Sequence, residues 1–276
     1  MDVIIERCRI DSDVDNNTCN HPRDDNDLEV MNLDYKTELS KTLLMNYAHI
    51  IGYPIEWSYR FEPNEVSILL KSCDIGMKTG RTFSCNEDLE PLIERFQKNW
   101  VEGKWFFRFN SSSPKDGVHS YPIISGKQVI EKICTSVRAR NALEDGHNTI
   151  YFVKFESNWN SKREFRVFIR KGKVTCISQY NAYEKSILSG KSNNDIKNAA
   201  DRIVKFLEIE ILPKVIPAIK TEDLSADVYL EDNYIRIIEL NSFGYWQAAG
   251  SALFHWLDDK TKLYNEKGKV WIRIVK

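Results

Sequence analysis

Hydrophobic residues recur along this chain with two different spacings, and each spacing predicts its own kind of element. Spacings of three and four residues predict helices at 35–51, from Asn86 or Asp88 onward, at 125–143, from Ser192 onward and at 247–257. Alternating or aromatic-rich runs predict strands at 65–73, 104–110, 151–156 and 269–275, and hairpins at 163–180 and 227–241. The chain is therefore expected to mix helices with strands.

The hairpin at 227–241 carries polar side chains among its most apolar residues. In its second strand a side-chain period of two directs four residues to one face, namely Ile235, Ile237, Glu239 and Asn241. A three-residue loop at 232–234 would pair Asp227 directly opposite Glu239, whereas a two-residue loop would turn Asp227 to the other face. The length of the loop therefore decides whether Asp227 joins that face.

Two carboxylates and an amide oxygen on one face would form a set of oxygen ligands. A carboxylate buried among apolar residues is unfavourable unless a cation or a hydrogen-bond donor accompanies it. Oxygen ligands suit Mg²⁺, which proteins usually hold with one or two carboxylates and the phosphates of a substrate. The alternative is a Glu239 that lies at a solvated or salt-bridged strand end, and the hairpin by itself leaves both interpretations open.

Two upstream segments could bind phosphate groups. Residues 110–117 (NSSSPKDG) form a loop rich in hydroxyl and backbone N–H donors, with Lys115 near its tip and Arg108 in the preceding strand. In the hairpin at 163–180, alternation places Arg166 on the face that is not core. Each segment also has an ordinary interpretation, which is a plain turn for the loop and a surface ion pair for Arg166.

Composition excludes several classes of protein. A net charge of -1 over 276 residues argues against general nucleic-acid binding, although residues 1–30 hold nine acids and three bases and leave the remainder net positive. This acidic stretch, 1–33, is expected to be a flexible arm. Six cysteines without a CxxC pair fit reduced thiols, and no apolar run reaches the roughly 18 residues that cross a bilayer. These features predict an intracellular, cytoplasmic protein without membrane insertion.

Six motifs in a fixed order resemble the cell division cycle protein 123 family. The motifs are Arg108-x-Asn110-Ser-Ser-Ser-Pro-Lys115-Asp116, Lys154, Glu164-Phe165-Arg166-Val167-Phe168, Ile177-Ser178-Gln179, Asp227-Val228-Tyr229 and Glu239-Leu240-Asn241-x-Phe243-Gly244. Each motif alone is weak, but the order and the ten residues from Lys154 to Glu164 are specific. The resemblance covers residues 104–257 and leaves the N-terminal third unmatched.

The family has an ATP-grasp fold, so the resemblance implies an α+β protein whose two lobes clamp ATP between antiparallel sheets. The lobes would span 34–150 and 151–276. The family binds ATP with magnesium and acts as an assembly chaperone that engages the gamma subunit of eukaryotic translation initiation factor 2. The resemblance therefore implies ATP and Mg²⁺ as ligands, the gamma subunit as partner, and an assembly factor rather than a catalyst.

Two other functions are compatible with an ATP-grasp sequence. A ligase would activate a carboxylate or a nucleic-acid end by phosphoryl or nucleotidyl transfer, but the sequence offers no candidate nucleophile for that reaction. A nucleotide-free interaction module would keep only the fold. Binding of ATP with and without Mg²⁺ separates the first two functions from the third, and formation of a covalent product separates the ligase from the assembly factor.

The resemblance also implies roles for individual residues. The phosphates would meet Arg108, Ser112, Lys115 and Arg166, the adenine would meet the hinge Lys154-Phe155-Glu156, and Mg²⁺ would be held by Asp227, Glu239 and Asn241. Three positions depart from the family pattern, because Glu239 replaces the usual Asp, Ser242 replaces the usual Pro, and Arg108 often aligns with Lys. None of these departures removes a ligand or a charge that the implied site needs.

Overall fold

The chain folds into two compact units. The computed structural model describes residues 2–9, 36–82, 86–244, 249–265 and 268–276. A central unit contains Pro54–Asn158, and a terminal unit combines Met1–Tyr53 with Trp159–Lys276. Each unit has its own sheet, with three strands in the central unit and six in the terminal unit.

The expected lobes, 34–150 and 151–276, divide the chain at other places. A boundary after residue 150 would cut the strand Thr149–Lys154, whose residues all belong to the central unit. Residues 36–53 belong to the terminal unit, where the Tyr47 hydroxyl accepts a hydrogen bond from the Leu240 backbone N–H at 3.0 Å. The terminal unit is thus assembled from both ends of the chain.

The named elements alternate between strands and helices. The strands are β1 (Asp2–Cys8), β2 (Ile55–Arg60), β3 (Trp105–Phe109), β4 (Thr149–Lys154), β5 (Glu164–Arg170), β6 (Lys173–Gln179), β7 (Leu224–Leu230), β8 (Ile235–Ser242) and β9 (Lys269–Val275). The helices are α1 (Leu44–Tyr47), α2 (Pro63–Thr79), α3 (Asn86–Lys98), α4 (Gly126–Thr135), α5 (Val137–Glu144), α6 (Asn193–Lys205), α7 (Leu212–Ile219) and α8 (Lys260–Leu263). A π-helical stretch, Phe206–Ile211, connects α6 to α7 without a break.

In the central unit, the antiparallel sheet β2-β4-β3 packs with four helices around an aromatic core. Trp57 of β2 stacks on Phe152 of β4, with ring centroids 3.7 Å apart. Helix α4 begins where the Ser125 hydroxyl accepts a hydrogen bond from the Gln128 N–H at 3.3 Å. This core supports the loop between β3 and α4, which contains two of the predicted phosphate-binding residues, Ser112 and Lys115.

Three predicted elements in the first half of the chain differ from the structure. Residues 65–73, expected to be a strand, lie inside α2, because Glu62 and Glu65 form a capping box and Pro63 opens the helix. The helix expected at 125–143 is interrupted at Ser136, whose hydroxyl caps α5. The helix expected at 35–51 is broken into helical residues 36–41 and the short α1.

The terminal unit contains a six-stranded sheet in the order β1-β9-β6-β5-β7-β8. The pairs β1–β9 and β9–β6 are parallel, and the other pairs are antiparallel. Residues 2–8 of the expected arm 1–33 therefore form an edge strand, and residues 10–33 lie outside the described part. The described residues of 247–257, expected to be a helix, form turns instead. No helix in the described part of the chain is both long and apolar enough to span a membrane.

Asp227 pairs directly opposite Glu239, as the functional interpretation of the hairpin requires. The connection between β7 and β8 has four residues, 231–234, instead of the expected three. A bulge between Asp227 and Val228 restores the register, because Val228 pairs with Ile237 and Asp227 pairs with Glu239, which leaves Ile238 as the extra residue. The bulge also places Ile237 on the face opposite Glu239, so the predicted common face for these two residues was wrong.

Candidate functional site

A row of polar residues crosses all six strands of the terminal sheet on one face. The row follows the pairing register and consists of Glu239, Asp227, Arg166, Ser178, Arg273 and Glu6. Directly paired residues point to the same side of a sheet, so these side chains form one continuous line. The row has two halves, one around Asp227 and one around Arg273.

Arg166 is the centre of the first half. Its Nε and Nη2 each donate a hydrogen bond of 2.8 Å to Asp227, one to each carboxylate oxygen, and its Nη1 donates to the Gly250 carbonyl at 2.7 Å. The guanidinium also lies 5.0 Å from the ring centroid of Tyr180. Burial alone would lower the pKa of Arg166, but the Asp227 carboxylate outweighs that effect and the pKa is raised. Arg166 therefore stays charged and fixes the orientation of Asp227.

Asn241 and Ser225 extend this half of the site. The Asn241 Nδ2 lies 3.4 Å from Asp227 Oδ2, and Asn241 pairs in register with Ser225. The Ser225 Oγ is buried and has no hydrogen-bond partner among the described residues. An unsatisfied buried hydroxyl beside two acids and an amide is suited to hydrogen bonding with a polar ligand.

The ligand types, rather than a preformed cage, fit a hard cation here. Within the described ranges, no three His, Cys, Asp or Glu residues cluster as a metal site, and Asn241 is the candidate for a third protein ligand. The Arg166 hydrogen bonds take one lone pair from each Asp227 oxygen and leave others available. Asp227, Glu239 and Asn241 therefore match Mg²⁺ in ligand chemistry.

The second half of the row forms hydrogen bonds with residues 249–263, a segment that we call the strap. The Ser178 hydroxyl accepts a hydrogen bond from the Leu253 N–H at 3.0 Å, and Arg273 donates to the Leu253 carbonyl at 2.9 Å. Arg273 also binds both oxygens of Asp259, at 2.6 and 2.8 Å, and reaches Glu6. With the Arg166 bond to Gly250, the polar row anchors the strap at three places.

Asp259 is a buried, ionised anchor of the strap. Burial would raise the pKa of its carboxyl, but hydrogen bonds from Arg273 and the His255 N–H lower that pKa to about 2. Lys262 adds a contact of 3.1 Å to Asp259 and one of 2.7 Å to Glu6. This cluster could not be predicted from local sequence patterns, because its members come from both ends of the chain.

In the central unit, a buried lysine supports the loop between β3 and α4. Lys132 is 1% exposed, and its Nζ donates to the carbonyls of Asp116, Val118 and His119 at 3.2, 3.4 and 2.8 Å. Burial lowers the pKa of this ammonium, while the Asp116 carboxylate acts in the opposite direction. Sequence reasoning missed Lys132, although a lysine between Ile130 and Ile133 in an apolar helix stripe is a readable signal.

The loop is also tied to helix α5. The Asp116 carboxylate accepts hydrogen bonds from the Ser136 hydroxyl at 2.6 Å and from the Val137 N–H at 2.8 Å, at the start of α5. The Ser112 hydroxyl donates to the Arg138 carbonyl at 3.3 Å. The loop is therefore a hydrogen-bonded structure rather than a plain turn.

The remaining predicted residues lie close to β3 and β4 in the same unit. Arg108 is 3% exposed, and its Nε donates to the Phe109 carbonyl at 3.3 Å. Lys154 ends β4, and the Phe155 N–H donates to the Lys104 carbonyl at 2.8 Å, with Glu156 exposed next to it. The central unit thus contains Arg108, Ser112, Lys115, Lys154, Phe155 and Glu156, and the terminal unit brings together Arg166, Asp227, Glu239 and Asn241.

Comparison with solved structures shows the fold. The chain superposes on C-terminally truncated Cdc123 from Schizosaccharomyces pombe with a TM-score of 0.62, 16% identity, and coverage of 87% of this chain and 98% of that chain. A second structure of Cdc123 from the same organism superposes with a TM-score of 0.62 and 16% identity, and the match covers 88% of this chain and 98% of that chain. The expected α+β class is thereby confirmed, and the chain has the fold of Cdc123.

Sequence comparisons identify the family. One relative, the translation initiation factor eIF2 assembly protein of Candida albicans (strain SC5314 / ATCC MYA-2876), is 31% identical over 106 residues. That match covers 37% of this chain and only 29% of the relative. A family model described as D123 matches residues 132–276, which is more than half of the 276 residues. This chain belongs to the D123 family, the family of cell division cycle protein 123.

Proposed function

We propose that this chain is an assembly factor for eukaryotic translation initiation factor 2 that binds ATP with Mg²⁺ and engages the gamma subunit. Membership of the D123 family supports the general function. The observation that carries the ligand assignment is the paired row of Arg166, Asp227 and Glu239, with Asn241 next along β8. The Candida albicans relative is named as an eIF2 assembly protein, and we propose the same kind of partner here.

In this proposal Asp227, Glu239 and Asn241 hold Mg²⁺, which neutralises the phosphates of ATP when bound. The charge of Arg166 next to Asp227 works against a cation at that carboxylate, so Glu239 is the better-placed acidic ligand. The longer side chain of Glu239 extends its reach, whereas Asp227 is held by its two hydrogen bonds to Arg166. We therefore assign the larger share of cation binding to Glu239.

The phosphates and the adenine are assigned to the remaining residues. Arg108, Ser112 and Lys115 would supply donors to the phosphates, and the backbone of 154–156 would meet the adenine. Arg166 uses three of its five N–H donors on Asp227 and Gly250, which leaves two for a phosphate oxygen. Bound nucleotide would then stabilise the conformation that engages the partner, since a ligand favours the state it binds most tightly.

Isothermal titration of ATP tests the ligand assignment. With Mg²⁺ present, Glu239→Gln is expected to weaken ATP binding about tenfold or more, because a charged metal ligand becomes neutral. Without Mg²⁺ the variant and the wild type should bind ATP alike. Glu210→Gln is the matched control, because Glu210 is an exposed acid of the same unit. Equal ATP affinity of Glu239→Gln and wild type in Mg²⁺ would reject the metal site.

A binding assay with purified gamma subunit tests the partner separately. We expect wild-type chain to bind the subunit more tightly with ATP and Mg²⁺ than without them, and Glu239→Gln to lose that gain. Failure to bind the subunit under any condition would reject the partner, whatever the titration shows. Rapid ATP turnover with a covalent product would replace the assembly factor with a ligase.

A further inference from the structure

A continuous chain of hydrogen bonds in the terminal unit leads from the first strand to Asp227. Glu6 of β1 accepts hydrogen bonds from Arg273, at 2.8 Å from Nε and at 2.5 Å from Nη2. Arg273 binds the strap, and the Gly250 carbonyl of the strap binds Arg166. Arg166 in turn fixes the orientation of Asp227. A residue of the first strand is therefore connected to the proposed metal site.

Arg273 uses its whole set of N–H donors within the protein. An arginine side chain has five N–H groups, and Arg273 donates two hydrogen bonds to Glu6, two to Asp259 and one to the Leu253 carbonyl, at 2.5 to 2.9 Å. Its guanidinium carbon also lies 4.2 Å from the centroid of the Phe254 ring. Arg273 therefore holds segments of the chain together and is not placed to bind a ligand.

The charges around Arg273 balance only while Glu6 is ionised. Two bases, Arg273 and Lys262, each lie within 3.1 Å of two acids, Glu6 and Asp259. Lys262 belongs to the strap, whereas Arg273 belongs to β9. Without the charge of Glu6, the two bases would share one acid, and their mutual repulsion would weaken the attachment of the strap to the sheet.

The strap meets three neighbouring strands at defined points. Ser178 of β6 pairs in register with Arg166 of β5 and with Arg273 of β9. The Leu253 N–H donates to the Ser178 hydroxyl at 3.0 Å, and the Leu253 carbonyl accepts from Arg273 at 2.9 Å. Gly250, three residues earlier, accepts from Arg166 at 2.7 Å. A displacement of Leu253 is therefore expected to loosen one of the three hydrogen bonds that orient Arg166.

Glu6 lies outside the region that matches the family model. Residues 132–276 contain the strap, Arg166 and Arg273, but not β1. In the described part of the chain, β1 is an edge strand that pairs only with β9, and this parallel register places Glu6 opposite Arg273. The acid that completes the charge cluster is thus attached to the sheet through a single strand pairing.

We propose that Glu6 and Arg273 are positioning residues for the Asp227 end of the ATP site. Together they hold the strap where its Gly250 carbonyl orients Arg166 toward Asp227, and β1 thereby raises the affinity for ATP with Mg²⁺. Both residues act through the strap rather than by touching the nucleotide. This inference rests on the proposed function, because it concerns the same site.

Hydrogen exchange of the strap in Glu6→Gln tests the first step without nucleotide. Peptides within 250–263 are expected to exchange at least about tenfold faster than in the wild type, because hydrogen bonds between charged groups are lost. Peptides from α7 should exchange as in the wild type, which separates a loosened strap from a loosened unit. Glu38→Gln is the matched control, since the side chains of Glu6 and Glu38 are 28% and 33% exposed and Glu38 pairs with Lys41 in the same unit.

ATP titration in a double-mutant cycle tests the second step. With Mg²⁺ present, Glu6→Gln should weaken ATP binding by about fivefold or more, whereas Glu38→Gln should bind ATP like the wild type. Arg166→Lys keeps the charge but loses the planar set of donors. In that background Glu6→Gln should change the affinity by less than about twofold, because the strap has no guanidinium to orient. A merely structural role of Glu6 would weaken ATP binding equally in both backgrounds.

Three results would overturn the inference. These are strap exchange in Glu6→Gln equal to the wild type, equal losses of ATP affinity in the two backgrounds, or, should Arg166→Lys fail to fold, wild-type strap exchange that ATP with Mg²⁺ does not slow, since coupling is reciprocal. Any of these results with ATP binding intact leaves the proposed function standing. A wild type that binds no ATP would overturn both proposals, and the titration alone shows which case holds.

Discussion

Arg166 and Asp227 lie opposite each other on β5 and β7 and form a bidentate pair with both N–O distances at 2.8 Å. The two residues are 8% and 3% exposed, so the pair is desolvated. A buried pair of this kind contributes little net stability by itself, but breaking it leaves an isolated buried charge. The pair therefore has a structural role that is separable from ligand binding.

A double-mutant cycle measures that role. Asp227→Asn is expected to lower the free energy of unfolding by about 3–5 kcal/mol, because Arg166 keeps its charge without a partner. In the double variant Arg166→Met with Asp227→Asn, the free energy of unfolding should fall by less than the sum of the losses in the two single variants, since no charge then remains buried. Denaturant unfolding of the four proteins gives the values.

The control cycle uses Arg163 and Asp232, which are 3.1 Å apart in the same unit with an Asp232 side chain that is 85% exposed. Its coupling should stay below about 1 kcal/mol, as for other exposed pairs. Additive effects of the Arg166 and Asp227 changes would contradict the structural role.

Lys132→Met tests how the central unit holds the loop between β3 and α4. The change removes the donor to three carbonyls and should lower the free energy of unfolding by about 1–3 kcal/mol. ATP affinity should fall with it, because Ser112 and Lys115 belong to that loop. Denaturant unfolding and ATP titration are the two measurements.

Lys127→Met is the matched control, because Lys127 is on the same helix with a side chain that is 65% exposed. It should change neither the stability nor the ATP affinity beyond about 0.5 kcal/mol. A Lys132→Met variant that keeps its stability and loses ATP binding would mean that Lys132 contacts the ligand directly.

Helices and hairpins were predicted correctly from the sequence where local and tertiary preferences favour the same structure. Ser125 and Ser192 cap the helices that the spacing predicts, and the hairpin of β5 and β6 turns at Lys171 and Gly172 as expected. In these places the capping side chain, the turn residues and the apolar spacing all favour one structure. Elements of this kind were identified without structural information.

Other features depend on contacts that no local pattern records. The run 65–73 is rich in apolar and β-branched residues, yet it is helical because Glu62 and Glu65 cap α2 at its start. The bulge at Ile238 depends on how the four-residue turn fits the register of β7. The cluster of Glu6, Asp259 and Arg273 joins distant segments. Periodicity placed Glu239 and Asn241 on one face but left the pairing of Asp227 with Glu239 open, and a bulge that no local pattern records provides that pairing.

Tyr59 and Glu65 provide a spectroscopic test of the α2 capping box. Burial, followed by the charge of Glu65, raises the pKa of Tyr59 to about 12. The Tyr59 hydroxyl donates to Glu65 at 3.1 Å, and Arg95 lies 2.7 Å from the same carboxylate oxygen. Glu65→Gln keeps a capping-box side chain and removes the negative charge.

We expect the pKa of Tyr59 in Glu65→Gln to fall below 12 while staying above its ordinary value of 10.0, because burial remains. Difference titration of tyrosinate absorbance between variant and wild type reports this change. Glu62→Gln is a milder control, since the charge of Glu62 is the smallest contribution to the raised pKa. An unchanged titration in Glu65→Gln would show that the carboxylate does not act on Tyr59.

The ionised Asp259 is expected to make the folded chain less stable in acid. Its pKa in the folded chain is about 2, below the ordinary value of 3.8, so the unfolded chain takes up the proton first as the pH falls. The pair with Arg273 should therefore contribute about 2 kcal/mol above pH 4 and lose that contribution as the pH falls from about 4 to about 2.

The variant Asp259→Asn removes this contribution at neutral pH and leaves Arg273 without the Asp259 carboxylate. The unfolding free energies of variant and wild type should thus differ most at pH 7 and converge in acid. Asp258→Asn, at a side chain that is 79% exposed, should show a much smaller difference. A gap between Asp259→Asn and wild type that does not narrow in acid would mean that the carboxylate charge is not what anchors the strap.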